Sequence, residues 1–207
     1  MQLVLATSNP HKVREFLPLL KTLPGLEILS LKDFPKYIPP QETGVTFKEN
    51  AILKAEHAAR ALKMWVLSDD SGLVVSALQG EPGVYSARYS GLPASDAKNR
   101  LKLLQKMEGL HAEQRAAYFE CCLVLANGEG MYKCVTGLCE GTIIAEQRGN
   151  KGFGYDSLFV RHDLAKTFAE LDEDVKNRIS HRRKAFDKML QTLERLVNKE
   201  TQKIISN

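Results

Sequence analysis

Short apolar runs alternate with helix-like segments in the first half of the 207-residue chain. Residues 2–6 and 26–29 have the length and composition of strands, and the segment between them repeats apolar residues at helical spacing. Thr46, followed three residues later by Glu49, predicts a capping box that opens a second helix ending near Lys63. This alternation limits the chain to folds in which helices connect the strands of one sheet.

The second half of the chain carries hairpin signals instead. Residues 116–125 and 131–135 flank Asn-Gly-Glu-Gly at 127–130, which is typical of two antiparallel strands joined by a tight turn. Residues 141–145 are expected to add a third strand to this meander. A last helix is predicted over residues 173–197. The two halves together predict an α/β protein with a mixed sheet.

Composition excludes several classes of protein. The net charge is +4, which suits an anionic small substrate about as well as weak contact with nucleic acid. Lysines and arginines do not interleave with aromatic residues in a stripe, so we expect no nucleic-acid partner. No apolar run approaches the roughly 20 residues that span a bilayer, and the N-terminus lacks the features of a signal peptide. We therefore expect a cytoplasmic protein with no membrane partner.

The four cysteines give no metal signature. Cys121 and Cys122 are adjacent in an apolar run, and Cys134 and Cys139 are separated by a spacing unusual for zinc. We expect them to be small buried thiols that stay reduced.

The segment SDDSG, residues 68–72, directly follows the apolar run 64–67. Adjacent Asp69 and Asp70 repel each other, and their burial is unfavourable without a cation or hydrogen-bond donors. One interpretation is a turn, because Asp, Ser and Gly are turn formers. The other is a metal and water site at the end of a strand, where a bound cation makes the pair tolerable.

Three further polar segments have two interpretations each. TSNPHK, residues 7–12, either holds phosphate at a helix N-terminus or contains only Asn9 as the N-cap before Pro10. GNKGFGYD, residues 149–156, either brings backbone and the Phe153 ring to a ligand or forms a tight loop around a core aromatic. KNRISHRRKAF, residues 176–186, is most often a solvated basic helix face.

The segments together are more specific than any of them alone. ATSN, ETG-TF-EN, SDDSGL, PGVYSARYSG, GFGYD and SHR follow one another in this order from about residue 3 to about residue 195. The chain thereby resembles the inosine triphosphate pyrophosphatase family, whose members are also called HAM1-like or RdgB-like, and in particular its bacterial dITP/XTP pyrophosphatase branch.

This resemblance implies a fold and an activity. The fold would be a long central mixed β-sheet with helices forming two lobes around an active-site cleft, a single domain over residues 1–198 followed by a tail at 199–207. The activity would be a magnesium-dependent hydrolysis of dITP, ITP and XTP to the monophosphate and pyrophosphate, cleansing the nucleotide pool. The resemblance also implies a homodimer.

The resemblance further implies the site residues. Asp70 would accept a proton from water and, with Glu42, hold Mg²⁺. Substrate-binding positions would be Thr7, Ser8, Asn9, Pro10, His11 and Lys12 for the triphosphate, Lys54, Ser71 and Lys176 elsewhere on the substrate, and Phe153, Gly154, Tyr155, Asp156, His181 and Arg182 for the nucleobase.

Departures from the family pattern leave alternatives open. Gln41-Glu42 stands where some relatives have two acids, so either Glu42 or Asp69 could be the second metal carboxylate. Ser157 stands where relatives often have proline. A Maf-like pyrophosphatase and a nucleotide- or RNA-binding protein without catalysis are the alternatives, although the latter leaves paired Asp69 and Asp70 unexplained.

Overall fold

The structure is a computed structural model that describes residues 1–205, with side chains to residue 202. Its strands are β1 Gln2–Leu5, β2 Glu27–Ser30, β3 Trp65–Val75, β4 Ala116–Asn127, β5 Gly130–Ile143 and β6 Phe159–Arg161. Its α-helices are α1 Pro10–Leu20, α2 Phe47–Leu62, α3 Asp96–Lys106, α4 Glu173–Ile179 and α5 His181–Ile205. Short 3₁₀ turns lie between them, including one over Gly83–Arg88.

The sheet is mixed, as predicted. Its strand order is β2-β1-β3-β4-β5-β6. β1 pairs in parallel with both β2 and β3, because helical crossovers connect these strands, whereas β5 and β6 pair antiparallel. The α/β fold class expected from the sequence is therefore confirmed.

The chain divides into two compact units. The first contains residues 1–70 and 122–137 and the described residues from 182 onward, and the second contains residues 71–121 and 138–181. Strands β3, β4 and β5 each contribute residues to both units. The second unit has its own apolar core, whose largest members include Leu73, Leu103, Met107, Phe119, Phe159 and Phe168.

SDDSG does not form a turn or a strand end. The two strand pieces expected on either side of it are one continuous strand, β3, in which Ser68, Asp69 and Asp70 are buried. Turn propensity is overridden because buried groups satisfy the polar side chains: the Ser68 hydroxyl, for example, donates to the carbonyl of Ala51. Neither the turn nor the position at a strand end is therefore correct, because both aspartates lie within β3.

Other boundaries also differ from the sequence predictions. The third meander strand expected at 141–145 is wrong, because residues 141–143 continue β5 and the next strand is β6. Thr46 caps α2 by accepting the N–H of Glu49, as predicted. The reciprocal bond goes elsewhere, since the Glu49 carboxylate accepts from Val45 N–H rather than from Thr46.

The single helix predicted over 173–197 is two helices. Ser180, with ψ 164°, ends α4, and α5 begins at the next residue. Residues 176–186, expected to form one basic helix face, are therefore divided between α4 and α5. The helix also extends through residue 205, so most of the expected tail at 199–207 is helical, and residues 206–207 lie outside the described part.

Two further expectations concern the membrane and the thiols. Within residues 1–205, no helix has an apolar stretch long enough to cross a bilayer. None of the four cysteines, all of which the structure describes, forms a disulfide. Three are buried and Cys134 is half-buried, with its Sγ atom 3.4 Å from that of Cys122.

Candidate active site

The two carboxylates of SDDSG face different partners. Consecutive residues of a strand point to opposite faces of the sheet, which separates the two negative charges. Asp69 is 1% exposed and its Oδ2 atom lies 3.1 Å from the ammonium nitrogen of Lys12 and 3.7 Å from Nε of Arg182. Asp70 is 7% exposed and its Oδ1 atom accepts from the ammonium of Lys54 at 2.9 Å.

Lys54 holds two carboxylates at once. Its ammonium, carried by α2, donates to Glu42 Oε1 at 2.8 Å and to Asp70 Oδ1 at 2.9 Å. Burial lowers the pKa of Lys54, but the carboxylates of Asp70, Asp69 and Glu42 outweigh this effect and the pKa lies above its ordinary value. The ammonium therefore stays charged at neutral pH.

Asp70 has the opposite balance. Burial raises the pKa of its carboxyl, more than the ammonium groups of Lys54 and Lys12 lower it. Its Oδ2 atom is buried, and none of the described residues donates a hydrogen bond to it. A buried carboxylate oxygen without a donor is unfavourable, unless a cation or a water molecule satisfies it.

These residues fit a hard divalent cation. Glu42 and Asp70 bring carboxylate oxygens to one point, and Asp70 has an oxygen still to be satisfied. The described residues contain no cluster of three or more His, Cys, Asp or Glu side chains suited to a metal. This limited donor set suits Mg²⁺, which is usually held by one or two carboxylates and completes its shell with water and substrate oxygens.

The TSNPHK segment contains the predicted N-cap. Asn9 is the N-cap of α1, and its side-chain oxygen accepts the N–H groups of His11 and Lys12, with Pro10 in the first turn. Ser8 and His11 are exposed. The Lys12 side chain is largely buried beside Asp69. A helix N-terminus with a positioned ammonium favours an anion, whether or not Asn9 is also the cap.

Arg182 is buried rather than solvated. It is 4% exposed, and its Nη1 donates to Glu15 Oε2 at 2.7 Å. Glu15 was not among the predicted site residues, although an acidic residue beside Phe16 on the apolar side of α1 is a recognisable signal of a buried ion pair. The first unit thus brings together Lys12, Asp69, Arg182 and Glu15 in one network of charges.

The GFGYD loop belongs to the second unit. Gly152 and Gly154 have φ values of +74° and +59°, which glycine adopts readily. Asp156 is buried, and its Oδ2 atom accepts the Phe153 N–H at 2.9 Å and the Lys176 ammonium at 2.5 Å. The carboxylate therefore fixes the loop from within.

Lys176 and His181 are not surface charges. The Lys176 ammonium, 4% exposed, lies 4.8 Å from the centre of the Phe153 ring and 5.8 Å from that of Phe168. The His181 ring stacks on Phe119 with centroids 4.9 Å apart. The interpretation of this segment as a solvated basic helix face is wrong for both residues, because aromatic faces and a carboxylate take the place of water.

A buried hydrogen-bond network supports the loops of the second unit. The Ser86 hydroxyl accepts the N–H of Leu73 at 2.9 Å and donates to the carbonyl of Gly83. The Tyr155 hydroxyl donates to the carbonyl of Ser86 at 3.0 Å, and burial raises its pKa. A Cβ at Gly72 would clash with Ser86. This explains why glycine occupies the position that follows Asp70 and the half-buried Ser71.

Comparison with known sequences identifies relatives along nearly the whole chain. The sequence model of the Ham1 family matches residues 3–192. The chain is 59% identical to a dITP/XTP pyrophosphatase of Protochlamydia amoebophila, covering 95% of this chain and 99% of that protein. It is 48% identical to a dITP/XTP pyrophosphatase of Chlamydia abortus, covering 97% and 98%.

Comparison with solved structures gives the same result. A Ham1 protein from Staphylococcus aureus has a TM-score of 0.84 at 39% identity, covering 94% of this chain and 98% of that one. A HAM1 protein from Coxiella burnetii has a TM-score of 0.85 at 39% identity, covering 93% and 98%.

Proposed function

The chain belongs to the Ham1 family, and we propose that it hydrolyses dITP, ITP and XTP to the nucleoside monophosphate and pyrophosphate, with Mg²⁺ as its cofactor. The name of a relative with 59% identity supports the enzyme class and two of the substrates, dITP and XTP. The observation that carries the chemical mechanism is the buried Asp70 carboxylate, which shares Lys54 with Glu42 and keeps one oxygen without a donor.

Asp70 and Glu42 would hold the metal. When bound, Mg²⁺ supplies positive charge that neutralises the phosphates during cleavage of the anhydride. Glu42 converges with Asp70 on the same ammonium, whereas Asp69 faces Lys12 and Arg182, and this favours Glu42 over Asp69 as the second carboxylate. Lys54 orients both metal carboxylates, and its charge prevents their mutual repulsion.

Asp70 also accepts the proton of the attacking water. Burial that raises its pKa makes it a stronger base than an exposed carboxylate, and general bases work best when their pKa approaches the working pH. A water molecule held by Oδ2 is oriented for attack, because the other oxygen of Asp70 is fixed by Lys54.

The first turn of α1 binds the triphosphate. The segment Thr7 to His11 lies at the positive end of the helix, where Thr7 and Ser8 add hydroxyls, and Lys12 adds a full charge. Asp69 holds the Lys12 ammonium in place. The conformational entropy of the Lys12 side chain is therefore lost before the substrate binds. Ser71, next to Asp70 in β3, contributes a hydroxyl to the substrate.

The nucleobase is recognised by stacking and by keto-specific hydrogen bonds. Phe153, fixed by Asp156 and Lys176, stacks on any purine and contributes affinity without choice. Hypoxanthine and xanthine carry a 6-keto acceptor where adenine carries an amino donor. Arg182 has only donors, five in all, so it serves Glu15 and a keto oxygen together and disfavours adenine.

The remaining expectations are part of the same proposal. Gly154, Tyr155 and His181 shape the base pocket through the loop conformation and through the stack on Phe119. We place the enzyme in the cytoplasm, where its nucleotide substrates are made, and propose that it acts as a homodimer.

A substrate panel tests the proposal. Purified protein is assayed for pyrophosphate release from ITP, dITP, XTP, ATP and GTP, with Mg²⁺ and with EDTA. We expect turnover of the first three substrates only with the metal, and much slower turnover of ATP. Guanine also carries the 6-keto group, so slow turnover of GTP would require exclusion through its 2-amino group. Tight binding of ITP without pyrophosphate release would indicate a binding protein instead. Equal rates on all five nucleotides would contradict the proposal that the enzyme selects its substrate by the base.

A further inference from the structure

Two side chains of helix α3 hold both backbone polar groups of one residue of the GFGYD loop. The Gly154 N–H donates to Asp96 Oδ2 at 2.7 Å, and Arg100 Nη1 donates to the Gly154 carbonyl at 2.8 Å. Asp96 and Arg100 are four residues apart and so lie on the same face of the helix. We propose that this pair, the α3 clip, positions Phe153 and thereby sets the affinity for the nucleobase, an inference that rests on the proposed function.

Gly154 needs an external hold because its conformation is not fixed by packing. Its φ of +59° is the left-handed conformation, yet a Cβ built at this position would meet no atom within 4 Å. Gly152, on the other side of Phe153, has φ +74°. Glycine loses more conformational freedom on ordering than any other residue, so a ring between two glycines is mobile unless its neighbours are bonded.

The clip complements the internal bonds of the loop. The Asp156 carboxylate accepts the Phe153 N–H, and the Asp156 N–H donates to the Phe153 carbonyl. The clip fixes both polar groups of the next residue, Gly154. The bonds from Asp156 lie within the loop, whereas the clip ties the residue after Phe153 to a helix outside the loop, so the position of the ring relative to α3 depends on the clip.

Arg100 is itself anchored. Its Nε donates to Gln147 Oε1 at 2.6 Å, and the Ser157 hydroxyl donates to the same oxygen at 3.1 Å. The guanidinium therefore joins α3 to Gln147 before the loop and to Gly154 within it. Arginine suits this role because its donors form a rigid planar fork.

The clip acts on base binding and on nothing else in the reaction. It touches neither the carboxylates nor Lys12, and stacking on Phe153 does not distinguish purines. Loss of the clip is expected to raise KM for every purine triphosphate alike, with kcat and the ITP-to-ATP preference unchanged. Inorganic tripolyphosphate, which has no base, should bind as before.

Steady-state kinetics of Asp96→Ala and Arg100→Ala test the clip. A hydrogen bond to a charged group corresponds to roughly a tenfold change in an equilibrium constant, so each variant should raise KM for ITP about tenfold. Asp96→Asn keeps an acceptor oxygen and should restore most of the affinity. Lys98→Ala, an exposed position on the same helix, is the control and should match wild type.

Competitive inhibition separates positioning from general damage. The inhibition constant of tripolyphosphate should be the same in wild type and in both clip variants. A parallel rise in this constant, or an unchanged KM for ITP in an active enzyme, would overturn the proposal. A further raised KM when Arg100→Ala is added to Phe153→Ala would also contradict it, because the clip acts through that ring.

Hydrogen exchange measured by mass spectrometry gives a test independent of turnover. Amides in a peptide spanning residues 150–157 should exchange faster in both clip variants than in Lys98→Ala. If the wild-type protein released no pyrophosphate from ITP, the proposed function would be wrong. The hydrogen-exchange rates would then be the measurement that tests whether the clip orders the loop. Unchanged exchange in Asp96→Ala and Arg100→Ala would overturn the clip with the enzyme still active.

Discussion

Replacement of Asp70 by asparagine separates the chemistry of this carboxylate from its role in the fold. The substitution keeps the shape of the side chain and an oxygen that can accept from Lys54, but it removes the proton acceptor and a charged metal ligand. Loss of a positioned base lowers kcat about 10²–10⁴-fold, and loss of a metal ligand adds to this. We expect pyrophosphate release from ITP to fall by at least about 10³-fold.

The effect on stability should be small, for opposing reasons. Removing one partner of a buried ion pair typically costs about 3–5 kcal/mol, because the other charge is left uncompensated. Here Lys54 keeps Glu42 at 2.8 Å, so its charge remains paired. Against this loss, the burial of the Asp70 charge is itself unfavourable, as its raised pKa indicates.

The sign of the pH dependence follows from the same pKa. A raised pKa means that the folded protein binds the Asp70 proton more tightly than the unfolded chain. The contribution of this group to stability therefore falls as the pH rises from the unfolded pKa of the carboxyl through its folded value. At neutral pH the ionised carboxylate is destabilising, and Asp70→Asn removes that effect. We expect the variant to unfold at a temperature equal to or above that of wild type.

The assay pairs activity with thermal unfolding at pH 7 and with calorimetric titration of Mg²⁺. Asp174→Asn, an exposed acid on α4, is the matched control for both measurements. A variant that keeps more than a tenth of the wild-type kcat would refute the role of Asp70 as base and ligand. A variant that loses its fold would refute the argument on burial.

Three further predictions follow from the charged and aromatic groups. Lys12→Ala should raise KM for ITP and reduce its dependence on salt, measured across a NaCl series, because the triphosphate loses one cation. Lys176→Ala should lower the unfolding free energy by about 3–5 kcal/mol in urea titrations, because the buried Asp156 carboxylate loses its partner. Arg182→Ala should narrow the ratio of kcat/KM for ITP over ATP, whereas Phe153→Ala should lower kcat/KM for both alike.

Each of these predictions has a control. Lys21 is exposed at the end of α1, and Lys21→Ala is the control for Lys12→Ala. An equal loss of salt dependence in both variants would assign the effect to the net charge of the protein rather than to a contact with the triphosphate. Lys184→Ala is the exposed counterpart of Lys176, and equal stabilities of the two variants would contradict the buried ion pair. An unaltered ITP-to-ATP ratio in Arg182→Ala would remove that residue from base recognition and leave it as the partner of Glu15.

Local signals in the sequence predicted several elements because they depend on neighbouring residues. Thr46 and Asn9 are both N-caps in the structure, and each accepts N–H groups from the helix that follows it. The hairpin at 127–130 forms as its turn residues indicate. Capping and turn chemistry involve few residues, so a short stretch of sequence is enough to specify them.

Tertiary contacts decided what local signals did not. Asp-Asp-Ser-Gly has the composition of a turn, but Lys12 and Lys54 lie far from it in sequence and allow it to be a buried strand. Ser180 interrupts a helix that apolar periodicity alone would continue. The same limit applies to the α3 clip, whose two sides are more than 50 residues apart in the chain.

The identity of the products tests the central claim most directly. Wild-type protein is incubated with ITP and Mg²⁺, and the reaction is followed by phosphorus NMR. The proposed function predicts that inosine monophosphate and pyrophosphate appear together in equal amounts, with no orthophosphate. Inosine diphosphate with orthophosphate would show that the wrong anhydride is cleaved and would contradict the account, as would an unchanged ITP spectrum.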